Sequence, residues 1–336
     1  MAPTIKDISK NTGLGLATIS KYLNGGNVLP ENKVAIEKAI DELHYSVNEL
    51  ARGLKTRKTK TIGIVIPELD NLFFMRVIKA IEYPLRKEGY AVIISDCHGK
   101  LNAEVESINF LLDKKVDGII NFPANPSGKH LIAALEKHIP VLMVDRLAPK
   151  LIGKVDSISI DNDNISREAT DLLIEKGHRN IGVLVGSTNI YTSEQRLKGY
   201  CDSLREHGIE LGQDYIQRCE YSVEGGYKGF KRLMAKNKDM TAVFATNYDT
   251  TLGVLMAIGD CGLKMPDDIS FLGFDNMDWA KIIVPSLTIV EQPLRQIGLQ
   301  AAEIMLKRLR SSKDLARQSV VLSAKLNIGG SIKDIR

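Results

Sequence analysis

TIKDISKNTGLGLATISKYLNG, Thr4 to Gly25, reads as two short helices around a glycine turn. Thr4 with Asp7 three residues on has the spacing of a capping box, so a helix starts at Ile5. Ile5 and Ile8 share its inner face. Gly13 suits the left-handed residue that ends such a helix. A second helix follows from about Leu16, with Ile19 and Leu23 inward at i and i+4. Leu16, Ala17, Ser20 and Lys21 are then left on its outer face. A third helix begins at Pro30, which suits a first helical position, and packs Ile36, Ile40 and Leu43. Helix, tight turn, helix is the helix-turn-helix pattern, whose second helix enters a DNA major groove by its N-terminal residues. On these residues alone a small helical hairpin without DNA is the competing reading.

Charge favours the DNA reading. Residues 1–60 carry ten Lys/Arg and six Asp/Glu, whereas the remaining residues carry 35 of each. The whole net charge of +4 therefore lies in the first sixth of a 336-residue chain. A basic segment ahead of a neutral body suggests a nucleic-acid module joined to something else. The segment 46–60, SVNELARGLKTRKTK, is too short and polar for a stable isolated helix and reads as a basic tether.

From residue 61 the pattern changes. Apolar runs TIGIVIP (61–67), YAVIIS (90–95), DGIINFP and PVLMVD alternate with amphipathic helical stretches, and Pro84 inside the first of these should kink it. A second series, NIGVLVG (180–186), TAVFATN (241–247) and ISFLGFD (269–275), alternates with helices near 193–207, 223–236 and 249–262. Nearly continuous apolar strands alternating with helices imply parallel sheets covered on both faces. Two similar halves imply two lobes with a cleft between them. Ligands of open α/β sheets sit beyond the carboxyl ends of strands, the positions held by Asp145, Asn247 and Asp275.

Other classes lack their signatures. No apolar run spans a bilayer, and MAPTIKDISK has no signal core, so a cytoplasmic protein is expected. The four cysteines are far apart, which implies reduced, mostly buried thiols. No G-x-G-x-x-G follows a strand, and neither a phosphate-loop nor an H-E-x-x-H motif occurs. CHGKL lacks phosphate-loop glycine spacing, and the six histidines form no metal or triad cluster. An enzyme, a metal site and a cofactor are therefore not expected.

Taken in order, TIKDISKNTGLGLATISKYLNG, ELHYSVNELARGL, EKGHRNIGVLVG, RLKGY, PSLTIVEQP and IGLQAAEIML resemble the LacI/GalR family of bacterial transcriptional regulators across the whole chain. The resemblance implies a three-helix DNA-binding domain at 1–45 and a hinge-helix linker at 46–60. It implies a two-lobed, periplasmic-binding-protein-like α/β body of parallel sheets at 61–336, for effector binding and dimerisation. Lobe 1 would take about 61–160 and 291–322, and lobe 2 about 161–290 and 323–330.

It further implies a repressor that binds a palindromic operator as a dimer and responds to a small molecule, a sugar above all. The absence of a heptad tail favours a dimer over a tetramer. The alternatives are a regulator with a purine-type corepressor, or a sugar-binding protein without a gene-regulatory role. The second lacks a signal peptide and leaves residues 1–60 unexplained.

Residue by residue, the resemblance assigns DNA contacts to Thr4, Leu16, Ala17, Ser20, Lys21 and Asn24, and to Asn48, Ala51, Arg52 and Leu54 in the linker. Leu54 would wedge between base steps with its symmetry mate. Lys55, Arg57, Lys58 and Lys60 would serve phosphates. The effector would meet Phe73, Asp145, Arg196, Tyr221, Asn247, Asp275 and Gln292. Carboxylates and a guanidinium suit sugar hydroxyls, and an aromatic ring suits the apolar face of a sugar. Of Phe73 and Phe74, one lines the cleft and the other is core. By residue type alone Asp275 could instead cap a loop and Tyr221 could simply pack.

Several positions depart from the family pattern. Gly15 stands where a serine commonly caps the second helix, Lys21 where an arginine commonly reads guanine, and Leu29 where a hydroxyl residue caps the third helix. Val47 replaces a common proline, implying a looser hinge. Tyr248 in NYDTTLG interrupts the usual N-D start and implies an altered pocket there.

Overall fold

The computed structural model describes residues 3–23, 25–45, 58–210, 212–275, 278–311 and 313–336. The chain divides into two compact units at Thr59 and Lys60. The first holds α1 (Ile5–Thr12), α2 (Leu16–Leu23) and α3 (Pro30–Leu43). The Thr4 amide donates to the Asp7 carboxylate at 2.8 Å, and Gly13 ends α1 at φ 70° with its amide on the Ser9 carbonyl. Ile8, Ile19, Ile36 and Ala39 form the small core, with Ile5, Leu23, Ile40 and Leu43 packed around it. The expected caps and the expected inner faces of these helices are therefore present.

The second unit is built on two six-stranded sheets. The first carries β1 (Thr61–Ile66), β2 (Ala91–Asp96), β3 (Gly118–Asn121), β4 (Val141–Val144), β5 (Asp156–Ile160) and, late in the chain, β11 (Ser319–Leu322). Their order is β11-β5-β4-β3-β1-β2, and all pairs are parallel. One face is covered by α4 (Leu72–Lys87) packed against α11 (Leu294–Arg310), the other by α5 (Leu101–Asp113) and α6 (Ile132–Glu136). Gly298 of α11 makes the α4 contact possible: a β-carbon there would lie 2.5 Å from the Ala80 β-carbon and 2.6 Å from the Val77 carbonyl oxygen. α4 runs as a single element through Pro84.

The second sheet has β6 (Ile181–Val185), β7 (Ile216–Arg218), β8 (Ala242–Ala245), β9 (Ser270–Phe274), β10 (Thr288–Glu291) and β12 (Lys325–Asn327), ordered β12-β10-β9-β8-β6-β7. Only β12 runs antiparallel, on β10. α7 (Asn162–Glu175) and α8 (Tyr191–Glu206) pack together on one face, α9 (Val223–Lys236) and α10 (Tyr248–Asp260) on the other. The chain crosses between the sheets after β5, after β10 and after β11. β7, a three-residue edge strand, carries too little apolar periodicity to read from sequence.

The thiols correct one expectation. Cys97 alone is fully buried; Cys201 and Cys219 are half-buried and Cys261 is exposed. Cys261 ends α10 as its C-cap, where the chain turns out of the core.

Candidate functional site

The three crossovers bring the carboxyl ends of both sheets to one cleft. Phe73, Asp145, Arg196, Tyr221, Asn247, Asp275 and Gln292 all line it, with Asn71, Phe74, Arg146 and Thr192. The lobes are closed on it: the residual cavity is about 20 Å³, room for about one water molecule.

Two aspartates lie at its centre. Asp145 directly follows β4 and Asp275 directly follows β9, and both have left-handed backbones, at φ 63° and 81°. Left-handed conformation is uncommon outside glycine, and retained strain of this kind concentrates at functional sites. Burial pushes the Asp145 carboxyl up to about 6, against the pull of Arg196 and Arg146. Burial also raises Asp275, opposed by Arg196, by the Gln292 amide and by the Tyr248 backbone amide at 3.2 Å. Gln292 donates to Asp275 from the β10–α11 crossover, and its own carbonyl oxygen is buried without a hydrogen-bond partner.

Arg196 is held rigidly. It donates to Asn162 Oδ1 at 2.8 Å and to the Thr246 carbonyl at 2.6 Å, and its guanidinium lies 3.7 Å from the centre of the Phe274 ring. Tyr221 is buried, with its hydroxyl 3.3 Å from Thr246 Oγ1. Its ring packs over Gly186, where a β-carbon would come within 2.8 Å of it. Tyr221 therefore both packs and lines the cleft. Asn247 caps α10, accepting from the amides of Asp249 at 3.0 Å and Thr250 at 3.3 Å. Its side-chain oxygen is used for structure, which leaves the amide nitrogen for the cleft.

Both phenylalanines line the cleft and both are buried. The expectation that one lines the cleft and the other is core therefore does not hold, because their rings meet edge to face at 5.1 Å and form one wall. Tyr248 turns into the core of the second lobe and does not line the cleft. Its neighbour Asp249 instead accepts from Asn71 of the first lobe at 2.6 Å. Arg76 of α4 likewise reaches Asp278 at 2.9 Å. Asn71, Thr192 and Arg146 were not singled out by sequence. Asn71 carries the recognisable signal of a helix N-cap, and Arg146 that of following a strand-ending aspartate.

In the helical unit, Thr4, Leu16, Ala17 and Lys21 are exposed and Ser20 is half-buried. Neither Gly15 nor Leu29 supplies a side-chain cap, and Leu29 is 61% exposed. Asn24, Asn48, Ala51, Arg52 and Leu54, and with them Val47, Lys55 and Arg57, lie outside the described residues. Among the described residues no group of His, Cys, Asp and Glu could hold a metal ion, and no helix is long and apolar enough to cross a membrane.

Comparison with known proteins places the chain in a family. The family described as periplasmic binding proteins and sugar binding domain of LacI family matches residues 59–327. Catabolite control protein A of Priestia megaterium is 30% identical over 323 residues, covering 96% of each chain. The HTH-type transcriptional repressor PurR of Proteus mirabilis (strain HI4320) is 32% identical over 318 residues, covering 94% of this chain and 92% of that protein. In fold, the lac repressor dimer bound to operator and the anti-inducer ONPF superposes with a TM-score of 0.87 at 21% identity, over 99% of this chain and 100% of that one.

Proposed function

The chain belongs to the LacI family of transcriptional regulators, and from that premise we propose that it is a cytoplasmic repressor, working as a dimer on a near-palindromic operator and switched by a sugar bound between its lobes. Leu16, Ala17, Ser20 and Lys21 of α2 read the major groove, with Thr4 and Asn24 at its edges. Asn48, Ala51, Arg52 and Leu54 act in the minor groove, and Lys58 and Lys60 serve phosphates. Phe73, Asp145, Arg196, Tyr221, Asn247, Asp275 and Gln292 hold the effector. The observation that carries this reading is the exposed face of α2 in the same chain as a closed cleft lined by two strained aspartates and a fixed arginine.

A ligand alters operator affinity only through different affinities for the two lobe arrangements. Asp145 belongs to the first lobe, and Arg196, Tyr221, Asn247 and Asp275 to the second, so a sugar in the cleft bridges both. Residues 46–60 directly precede β1 of the first lobe in sequence, and through them a change in that lobe would reach the DNA-binding end.

The test has two arms. Genomic fragments selected by the full chain are titrated by fluorescence anisotropy across salt, where affinity should fall steeply as counterions are released. Absence of any sequence-specific fragment, with or without sugars, would sink the regulator reading. In the second arm Arg196→Ala should lose the ligand response and keep apo-state operator affinity. Undiminished ligand affinity in that variant would remove the cleft from the reading.

A further inference from the structure

Two guanidinium groups face the cleft, and they are in opposite states. Arg196 is hydrogen-bonded, donating from Nε to Asn162 and from one terminal nitrogen to the Thr246 carbonyl. Arg146, only 8% exposed, has a buried Nε with no hydrogen-bond partner. Its nearest carboxylate oxygen, Asp145 Oδ2, is 3.9 Å away, too far for a hydrogen bond. The guanidinium lies 5.8 Å from the centre of the Phe74 ring. A buried cation without a hydrogen-bonded counter-charge is costly, and a bound anion relieves that cost.

Its location supplies the second observation. Arg146 lines both the cleft and an adjoining groove of about 810 Å³ between the lobes. The groove also carries Lys100 and His98 from the first lobe and, from the second, Thr188, Asn189, Glu220 and Arg218, the last paired with Glu194 at 2.7 Å. Glu68 borders it too, but burial and the neighbouring Asp249 push that carboxyl up to about 7 against the pull of Arg146, so it opposes an anion less than an ordinary glutamate would.

We propose that the effector carries an anionic group, as a sugar phosphate or a sugar acid, and that Arg146 reads that group at the mouth of the cleft. This rests on the cleft being the effector site. The sugar ring sits among Phe73, Tyr221, Asp145 and Asp275, and the anionic tail passes Arg146 into the groove. Arg146 is thus a specificity residue, separate from Arg196, which anchors the cleft wall.

The experiment is calorimetry and thermal shift on the full chain with matched sets of five- to seven-carbon sugars. Each set holds the neutral sugar, its phosphates and its acids, with inorganic phosphate as a control. At least one anionic member should bind about tenfold or more tighter than its neutral parent, the scale of one charge-assisted hydrogen bond. In Arg146→Met that advantage should fall to parity, and in Arg146→Lys part of it should remain. Preference for the phosphate or for the acid identifies which anion is read. A neutral sugar preferred over every anionic form, no binding by any anionic member, or an advantage that survives Arg146→Met overturns the proposal. Failure of the cleft reading is distinct: Arg196→Ala would then leave the binding of every member unchanged.

Discussion

Asp145 and Asp275 occupy matching places in the two lobes. Each follows the last residue of a strand, takes a left-handed backbone and donates its amide to a neighbouring strand, Asp145 to Ile158 at 2.8 Å and Asp275 to Val290 at 2.7 Å. A left-handed residue with a β-carbon costs about 1–2 kcal/mol, so the cleft carries this strain twice, once on each of its faces. The result is two carboxyls projected into the cleft from opposite sheets, with the Asp275 charge adding to the burial that raises Asp145.

Asp145→Asn should therefore stabilise the protein at alkaline pH while weakening the effector. Asparagine tolerates the left-handed backbone and removes a buried carboxyl raised to about 6 from its ordinary 3.8. The gain at pH 8 should be on the order of 2 kcal/mol and should vanish below about pH 3, where the wild-type carboxyl is protonated in both states. Urea denaturation at the two pH values measures it.

Folding stability should be proton-linked through Glu68 and Asp249, which stand at about 7 and about 6, above ordinary values of 4.5 and 3.8. Carboxyls raised in the folded state bind more protons there. Their contribution is most favourable below the ordinary values and declines as pH climbs through the folded ones. Melting temperature should accordingly fall between about pH 4 and about pH 7 on their account. Asp249→Asn should flatten part of that slope; an identical slope in the variant contradicts the assignment.

The contact of α4 with α11 should tolerate no enlargement at its crossing point. Gly298→Ala places a β-carbon against Ala80 and the Val77 carbonyl, neither of which can rotate away. A loss of about 1–3 kcal/mol is expected from overpacking, read by chemical denaturation. α5 and α6, on the opposite face of that sheet, should keep their hydrogen-exchange protection under native conditions better than α4.

In the helical unit, Gly15→Ser should add stability. The Gly15 carbonyl accepts from the Thr18 and Ile19 amides at 3.0 and 3.2 Å, and a β-carbon there meets nothing within 4 Å. A serine hydroxyl can cap the free amides of the first turn, worth a few tenths of a kcal/mol. Thermal melts of wild type and variant, followed by helical circular dichroism, resolve the difference, and no gain would show that the turn cannot aim a hydroxyl at those amides.

What the sequence determined by itself is local. The Thr4–Asp7 cap, the Gly13 stop and the inward Ile8 and Ile19 follow from spacing over three or four residues, because capping and helical periodicity are near-neighbour effects. The alternation of apolar strands with amphipathic helices predicted the paired sheets for the same reason, and the strand ends marked Asp145, Asn247 and Asp275. Tertiary structure decided how those residues are used. Asn71 meets Asp249 across 178 positions of sequence, a pairing that no local preference encodes. Asn247 spends its oxygen on a cap, Tyr248 turns into the core, and Phe73 and Phe74 share one wall. Arg146 is left buried beside Asp145 with an unused donor, because whether a charge is satisfied depends on what closure brings within about 3 Å of it, and that is set only when both lobes have folded.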